Sequence, residues 1–288
     1  MLGTFHLTAL YEILRDIHFL YEPEKIYAYL LENFSKVLDA EAASIFEVDS
    51  QNKKLSLRAS VGPKKQALEM VSEELSFPFG KGVCGWVAQY NKPVIVDDAR
   101  KDERFNPQVD TLTGYKTKSI LCAPFSNKDE VYGVIEILNK KAAAFNKNDL
   151  DLVSLIAKQT AIALENAKLY SDLTNFRILN EGILSNLTGG IIVIDTSGNI
   201  THFNPSAEKI LQLENSDSIG KKSVEVLKGC PAIQQILAQF LDSKEKKTRE
   251  QFSCQTSNGQ SIHIEYSTFL LQNPSRKILG AGMIFQSL

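Results

Sequence analysis

Hydrophobic positions along the chain change period twice, and the changes divide it. Leu7, Leu10, Ile13, Leu14 and Ile17 recur at helical spacing, and Pro23 opens a second helical run, PEKIYAYLLENFSKVL. The period then shortens to two. ASIFEVD and KLSLRAS alternate as antiparallel strands joined by the turn SQNK. PVIVDD, SILCAPF and VYGVIEILNK are further strands, the last two joined through KDEVYG. Near Asn146 the helical period returns and persists. One seam runs Leu152, Gln159, Asn166, Leu173, Asn180, Leu187; the other runs Leu155, Ile162, Leu169, Phe176, Ile183. Eight of these eleven positions are apolar, which predicts a coiled coil over 146–187. At about 1.5 Å per residue its seams span about 54 Å. The polar members all lie on the first seam, where buried amides fix register. The alternative is a single helix packed on its own domain's sheet. Gly182 weakens the far end by about 1 kcal/mol and is a candidate joint.

A second alternating region follows. GGIIVIDTSGNITHFNPSAEKILQL predicts strand, tight turn, strand and a helix capped by Asn204-Pro205. TREQFSCQT, QSIHIEYSTFLL and KILGAGMIFQSL predict three more strands, with TSNGQ as a hairpin turn. The fold class expected is α+β. Two domains each have a central antiparallel sheet with flanking helices, and a long coiled-coil-like helix joins them.

Composition agrees with two globular domains: 288 residues, 43% hydrophobic and 23% charged. The net charge of −2 offers no electrostatic case for nucleic acid or a membrane partner, and KEKK at 244–247 is a solvated surface. No apolar run approaches a membrane span, and the first 22 residues are too acidic and too helical in period for a signal peptide. Cys84, Cys122, Cys230 and Cys254 have neither C-x-x-C spacing nor histidine partners. The expectation is four buried, reduced cysteines in a cytoplasmic protein with no metal site.

Candidate chemistry is sparse. GKGVCG at 80–85 fits G-x-G-x-x-G, but WVAQY gives little more than one helical turn before NKP, so the dinucleotide reading is rejected in favour of a close-packed turn. His6, His18, His202 and His263 are scattered, and no G-x-S-x-G elbow occurs. Glu136 alternates with Val134 and Leu138, so the three share a face; it either meets water on an edge strand or lines a polar cavity, accepting from a ligand's amino or imino groups. Asp149 suits a capping pair with Asn146 and also an ion pair with Lys140. In RFNPQVDTLTG, Asn106-Pro107 opens and Gly114 closes a helix too short to stand alone. Such a helix faces either water or a ligand.

Two helices, a run of strands, the GKGVCGWVA turn and a long exit helix together resemble a GAF domain. The likeness is closest to the cyclic-nucleotide-binding type of phosphodiesterases and cyanobacterial-type adenylyl cyclases. TGYKTKSILCAPF and VYGVIEILNK carry it most specifically. Asn139, Lys140, Phe145 and Asp149 match four of the five residues of the N-K-…-F-x-x-x-D-E signature, with Leu150 in the fifth place. The resemblance implies a ligand site at Ser44, Val83, Cys84, Asn106, Asp110, Thr113, Thr117 and Glu136. It puts Ser44 near the floor and Glu136 toward the base, with the short helix as a lid whose first amides face the phosphate. Residues 181–288 resemble a PAS domain, for which no cofactor is expected.

The domains implied are a GAF domain at 1–170, the connecting helix at 146–187 and a PAS domain at 181–288. The expected function is a regulatory, non-enzymatic sensor. Cyclic AMP or cyclic GMP is its ligand, a homodimer forms through the connecting helix, and an adenylyl cyclase-like output domain lies outside the chain. The alternatives are an input module of a histidine kinase or transcription activator sensing another small molecule, and a ligand-free dimer scaffold.

Overall fold

A computed structural model describes residues 4–70, 76–128, 130–213, 218–255 and 259–288. The chain divides into two compact units, residues 1–173 and 174–288.

The first unit opens with helices α1 (Thr4–Ile17) and α2 (Pro23–Val37). Strands β1 (Ala40–Asp49) and β2 (Lys54–Val61) follow, then the short helix α3 (Lys65–Met70) and strand β3 (Ser76–Pro78). Helix α4 (Gly82–Tyr90), strand β4 (Val94–Val96), helix α5 (Gln108–Thr113), and strands β5 (Ile120–Ser126) and β6 (Val131–Lys140) complete the sheet region. The sheet is antiparallel throughout, in the order β3-β2-β1-β6-β5-β4.

Alternation on the central strands feeds two apolar clusters. Ile45, Leu121, Ala123, Ile135 and Ile137 pack with Leu30, Leu31 and Phe34 of α2 and with Leu152, Val153 and Ile156 beyond β6. Phe46, Cys122 and Val134 point the other way, toward Val83 and Val87 of α4. That second face is the one on which Glu136 lies.

The long helix α6 (Lys147–Asn186) runs forty residues without a break at Gly182. Its first turns, about six of them up to Ala167, pack one side into the core through Leu152, Ile156, Ala157, Ala163 and Ala167. Leu155, Ile162, Leu169, Phe176 and Ile183 of the second seam are all 41–62% exposed. The first seam divides: Leu152 is buried against its own domain, whereas Leu173 and Leu187 are exposed.

The second unit contains β7 (Gly190–Asp195), β8 (Ile200–Phe203), α7 (Pro205–Leu211), α8 (Ser223–Val226), α9 (Pro231–Ser243), β9 (Glu250–Gln255), β10 (Ser261–Gln272) and β11 (Ile278–Ser287). Its sheet runs β8-β7-β11-β10-β9. Asn204 caps α7 as expected, accepting from Ala207 N at 3.0 Å and also from Ile191 N at 2.7 Å. Helix α9 was not anticipated, although Pro231 at its start and Ile233, Leu237 and Phe240 at i, i+4, i+7 signal it; all three are buried. TSNGQ lies largely outside the described residues, as does Asp129 of KDEVYG.

The expectation of four reduced cysteines is corrected. Cys230 and Cys254 are joined by a disulfide, with Cα atoms 5.3 Å apart, leaving Cys84 and Cys122 free. The two partners meet because Cys230 precedes α9 while Cys254 lies on β9, against which α9 packs. That proximity is tertiary and leaves no trace in sequence spacing.

Candidate functional site

A cavity of ≈ 100 Å³ lies in the first unit, enclosed by the sheet face of β1, β2 and β6 and by the segments carrying α3, α4 and α5. All eight residues expected at a ligand site line it: Ser44, Val83, Cys84, Asn106, Asp110, Thr113, Thr117 and Glu136. Strand register explains the floor. Glu136 on β6 lies opposite Ser44 on β1 and Cys122 on β5, so three polar side chains share one row of the pleat.

Glu136 is half-buried and lines the cavity. Its carboxylate accepts from the Cys84 thiol at 3.1 Å. No cation pairs with it among the described residues. Burial pushes its pKa up to about 7, helped by the Asp110 carboxylate and opposed by the Cys84 bond. Of the two local readings of this strand, the cavity-lining one holds.

Asp110 is held firmly. Its carboxylate accepts from Thr117 N at 3.0 Å and from Thr117 Oγ1 at 2.6 Å, and Arg100 Nη2 lies 3.5 Å away. Thr117 therefore spends its hydroxyl proton on Asp110, orienting that carboxylate. Thr113 donates to Val109 O within its own helix, at 2.8 Å. Asn106 Oδ1 accepts from Gln108 N at 3.1 Å, so Asn106 steadies the start of α5 as expected, although the helix begins at Gln108 rather than Pro107. Gly114 ends it in the left-handed conformation, φ 65°.

Two buried polar atoms on the cavity lining have no partner among the described residues: Asn106 Nδ2 and Ser60 Oγ. An unpaired buried donor or hydroxyl costs about 1–3 kcal/mol. Both are groups that a polar occupant would satisfy. Lys64, Lys65 and Lys81 also line the cavity, opposite in charge to Glu136 and Asp110. Sequence reasoning passed over Ser60 and the three lysines. Ser60 follows Leu57 on β2 out of simple alternation, because the β1–β2 register shifts between Ile45 and Phe46.

The glycines of GKGVCG have a packing role. Gly80 and Gly82 adopt φ of 79° and 76°. A Cβ on Gly85 would sit 2.8 Å from Pro78 O, and Gly80 N donates to Gly85 O at 2.9 Å. The expected close-packed turn is present. Helix α4 is longer than anticipated, nine residues ended by left-handed Asn91. The strand before it, β3, pairs antiparallel, so among the described residues it forms no parallel βαβ unit to hold a dinucleotide.

Asn139, Lys140, Phe145 and Asp149 lie outside the cavity and join its frame to α6. Asn139 (φ 55°) accepts from Lys118 N and Ser119 N through Oδ1. Its Nδ2 lies 2.9 Å from Glu41 Oε2 and from Lys116 O. That network lowers the Glu41 pKa, chiefly through the Asn139 bond. Lys140 Nζ meets Asp149 Oδ2 at 2.5 Å, and Asp149 accepts from Asn146 N at 2.9 Å while donating its own N–H to Asn146 Oδ1 at 3.2 Å. Both readings of Asp149 hold together: it is a cap and an ion-pair partner. Among the described residues no group of side chains is arranged to hold a metal ion, and no helix is long and apolar enough to cross a membrane.

Comparison with known proteins gives the following. Residues 22–164 match the GAF domain model, and residues 179–288 match the PAS fold model. A probable 3',5'-cyclic phosphodiesterase, pde-5, of Caenorhabditis elegans is 38% identical over 144 residues, 48% of this chain and 20% of that protein. A dual 3',5'-cyclic-AMP and -GMP phosphodiesterase 11A of Takifugu rubripes is 36% identical over 142 residues, 47% of this chain and 16% of that protein. The chain thus spans a fifth or less of the length of these relatives. Among solved structures, the GAF domain of a Coxiella burnetii phosphoenolpyruvate-protein phosphotransferase superposes with TM-score 0.52 at 19% identity, covering 60% of this chain and 99% of that one. That likeness shows the fold alone.

Proposed function

Since the chain is a GAF–PAS regulatory module, with a GAF domain over residues 22–164 and a PAS fold over residues 179–288, we propose that its GAF cavity binds a 3',5'-cyclic nucleotide, cyclic AMP or cyclic GMP. The observation that carries this reading is the set of polar and charged side chains placed on a mostly apolar cavity wall. Glu136 and Asp110 supply acceptors for the amino and imino edge of a purine. Lys64, Lys65 and Lys81 supply positive charge for a phosphodiester. Asn106 Nδ2 and Ser60 Oγ, unpartnered among the described residues, are available to polar groups of the ligand. The names of the two phosphodiesterase relatives support the same ligand class.

The proposed mechanism is a differential affinity. A ligand resting on Asp110 pulls on α5 and, through Thr117, on the loop that Asn139 ties to the end of β6. Lys140 and Asp149 continue that path into α6. Only the difference in affinity between two arrangements of this frame does work on the output. A second copy of the chain is proposed to cover the exposed seam Leu155, Ile162, Leu169, Phe176, Ile183, making α6 a dimeric coiled coil. The PAS fold then relays the change to an output domain beyond these residues, cyclase-like in our reading.

Thermal unfolding with each nucleotide tests the ligand class. A site binding only folded protein gains about 2.7 kcal/mol at one hundred times Kd, a shift of several degrees. The linear 5'-monophosphates serve as controls and should shift it less. No shift with either cyclic nucleotide contradicts the reading.

A further inference from the structure

Cys84 and Cys122 are the two free cysteines, one on α4 and one on β5. Their sulfurs are 3.6 Å apart, and the Glu136 carboxylate lies 3.1 Å from the Cys84 sulfur. Cys84 borders the cavity, whereas Cys122 is fully buried behind it. A structural cysteine needs neither a second thiol in contact nor a carboxylate aimed at it, and the nucleotide reading uses Glu136 but not the pair. We propose that Cys84 and Cys122 form an oxidisable dithiol in the cavity wall, which closes to an intrachain disulfide when the cavity is empty and is shielded when a ligand occupies it.

The chemistry balances with a peroxide as the two-electron oxidant. Glu136 takes the Cys84 proton. The Cys84 sulfur attacks one peroxide oxygen, the S–O bond forms, the O–O bond breaks, and the departing hydroxide recovers the proton as water. The Cys122 sulfur then attacks the Cys84 sulfenic acid. The S–S bond forms, the S–O bond breaks, and a second water leaves with the Cys122 proton. Two thiols lose two electrons and one peroxide becomes two waters. Closure requires the sulfurs to approach from 3.6 Å to about 2.05 Å, through side-chain rotation and a small movement of α4 toward β5. Contact with Cys122, burial and the Glu136 carboxylate hold the Cys84 thiol well above its ordinary pKa. Closure is consequently slow at neutral pH and faster in mild alkali.

The pair rests on geometry alone; the shielding rests also on the nucleotide reading. The test is peptide mapping by mass spectrometry, without reduction, of the whole chain treated with hydrogen peroxide at pH 8. A Cys84–Cys122 crosslink that dithiothreitol reverses supports the proposal. Cyclic AMP or cyclic GMP at about one hundred times its Kd should slow crosslinking at least ~tenfold, since only empty protein reacts. In Cys122→Ser, oxidation should stop at a Cys84 sulfenic acid that dimedone traps. Free thiols, separate sulfinic acids, or crosslinks to Cys230 or Cys254 overturn the pair. Equal rates with bound nucleotide overturn the shielding. Crosslinking in a protein that binds neither nucleotide supports the pair and counts against the nucleotide reading alone.

Discussion

Replacing Glu136 by Gln keeps the shape of the side chain and removes its charge. In the folded protein burial raises this carboxyl from the ordinary 4.5 to about 7. The group therefore holds its proton more tightly folded than unfolded. Its neutral form costs little at pH 4. Between 4.5 and 7 the unfolded chain ionises while the folded chain does not, so stability falls as pH rises. Above about 7 both states are ionised and the penalty is constant. At about 1.36 kcal/mol per pH unit, the full penalty is ~3 kcal/mol. Glu136→Gln should match the wild type near pH 4 and exceed it by up to ~3 kcal/mol at pH 8. The chain has a single tryptophan, Trp86, and it sits in α4 beside the cavity. Its fluorescence during urea unfolding reports on the GAF domain separately from the PAS fold. Parallel stability curves for the two proteins from pH 4 to 8 would refute the burial argument, and with it the claim that Glu136 lacks a cationic partner.

Other expectations follow from the same contacts. A ligand donating to Glu136 restores its ionised form, so binding should release a proton and nucleotide affinity should rise up to ~tenfold per pH unit below about 7; titration in buffers of different ionisation enthalpy measures this. Thr117→Ala removes the 2.6 Å bond that orients Asp110, and should lower affinity about fivefold through ~1 kcal/mol, read by calorimetry. Asp149→Ala leaves Lys140 unpaired in a site where its side chain is 15% exposed, and should cost about 3–5 kcal/mol in the Trp86-detected unfolding transition. Leu169→Lys places a charge on the exposed seam, and sedimentation should show a dimer become a monomer; a monomeric wild type would contradict the dimer proposal.

Much of the frame is legible in sequence because it is local. Alternation marks VYGVIEILNK as a strand, Asn204-Pro205 marks a capped helix, and Asn146 with Asp149 marks the start of α6. The site is legible only in part, because its decisive facts are non-local. Glu136 faces a cavity because β6 pairs with both β1 and β5, putting Ser44 and Cys122 at its sides. A single strand cannot reveal which neighbours it will have. Thr117 is a case where residue type misleads: its hydroxyl belongs to Asp110, seven residues away, through a turn whose geometry the pattern does not encode. Lys64, Lys65 and Lys81 look like ordinary surface charge until α3 and the turn before α4 bring them to one mouth.

The central claim is that an anionic purine nucleotide occupies the cavity above Glu136, and isothermal titration of the intact chain at pH 8 tests it most directly. The account predicts saturable binding of cyclic AMP or cyclic GMP at one site per chain, in the micromolar range or tighter, weakened at least ~tenfold when Glu136→Ala removes the acceptor. An absence of heat with both nucleotides at high micromolar concentration, or binding indifferent to Glu136→Ala, would contradict it.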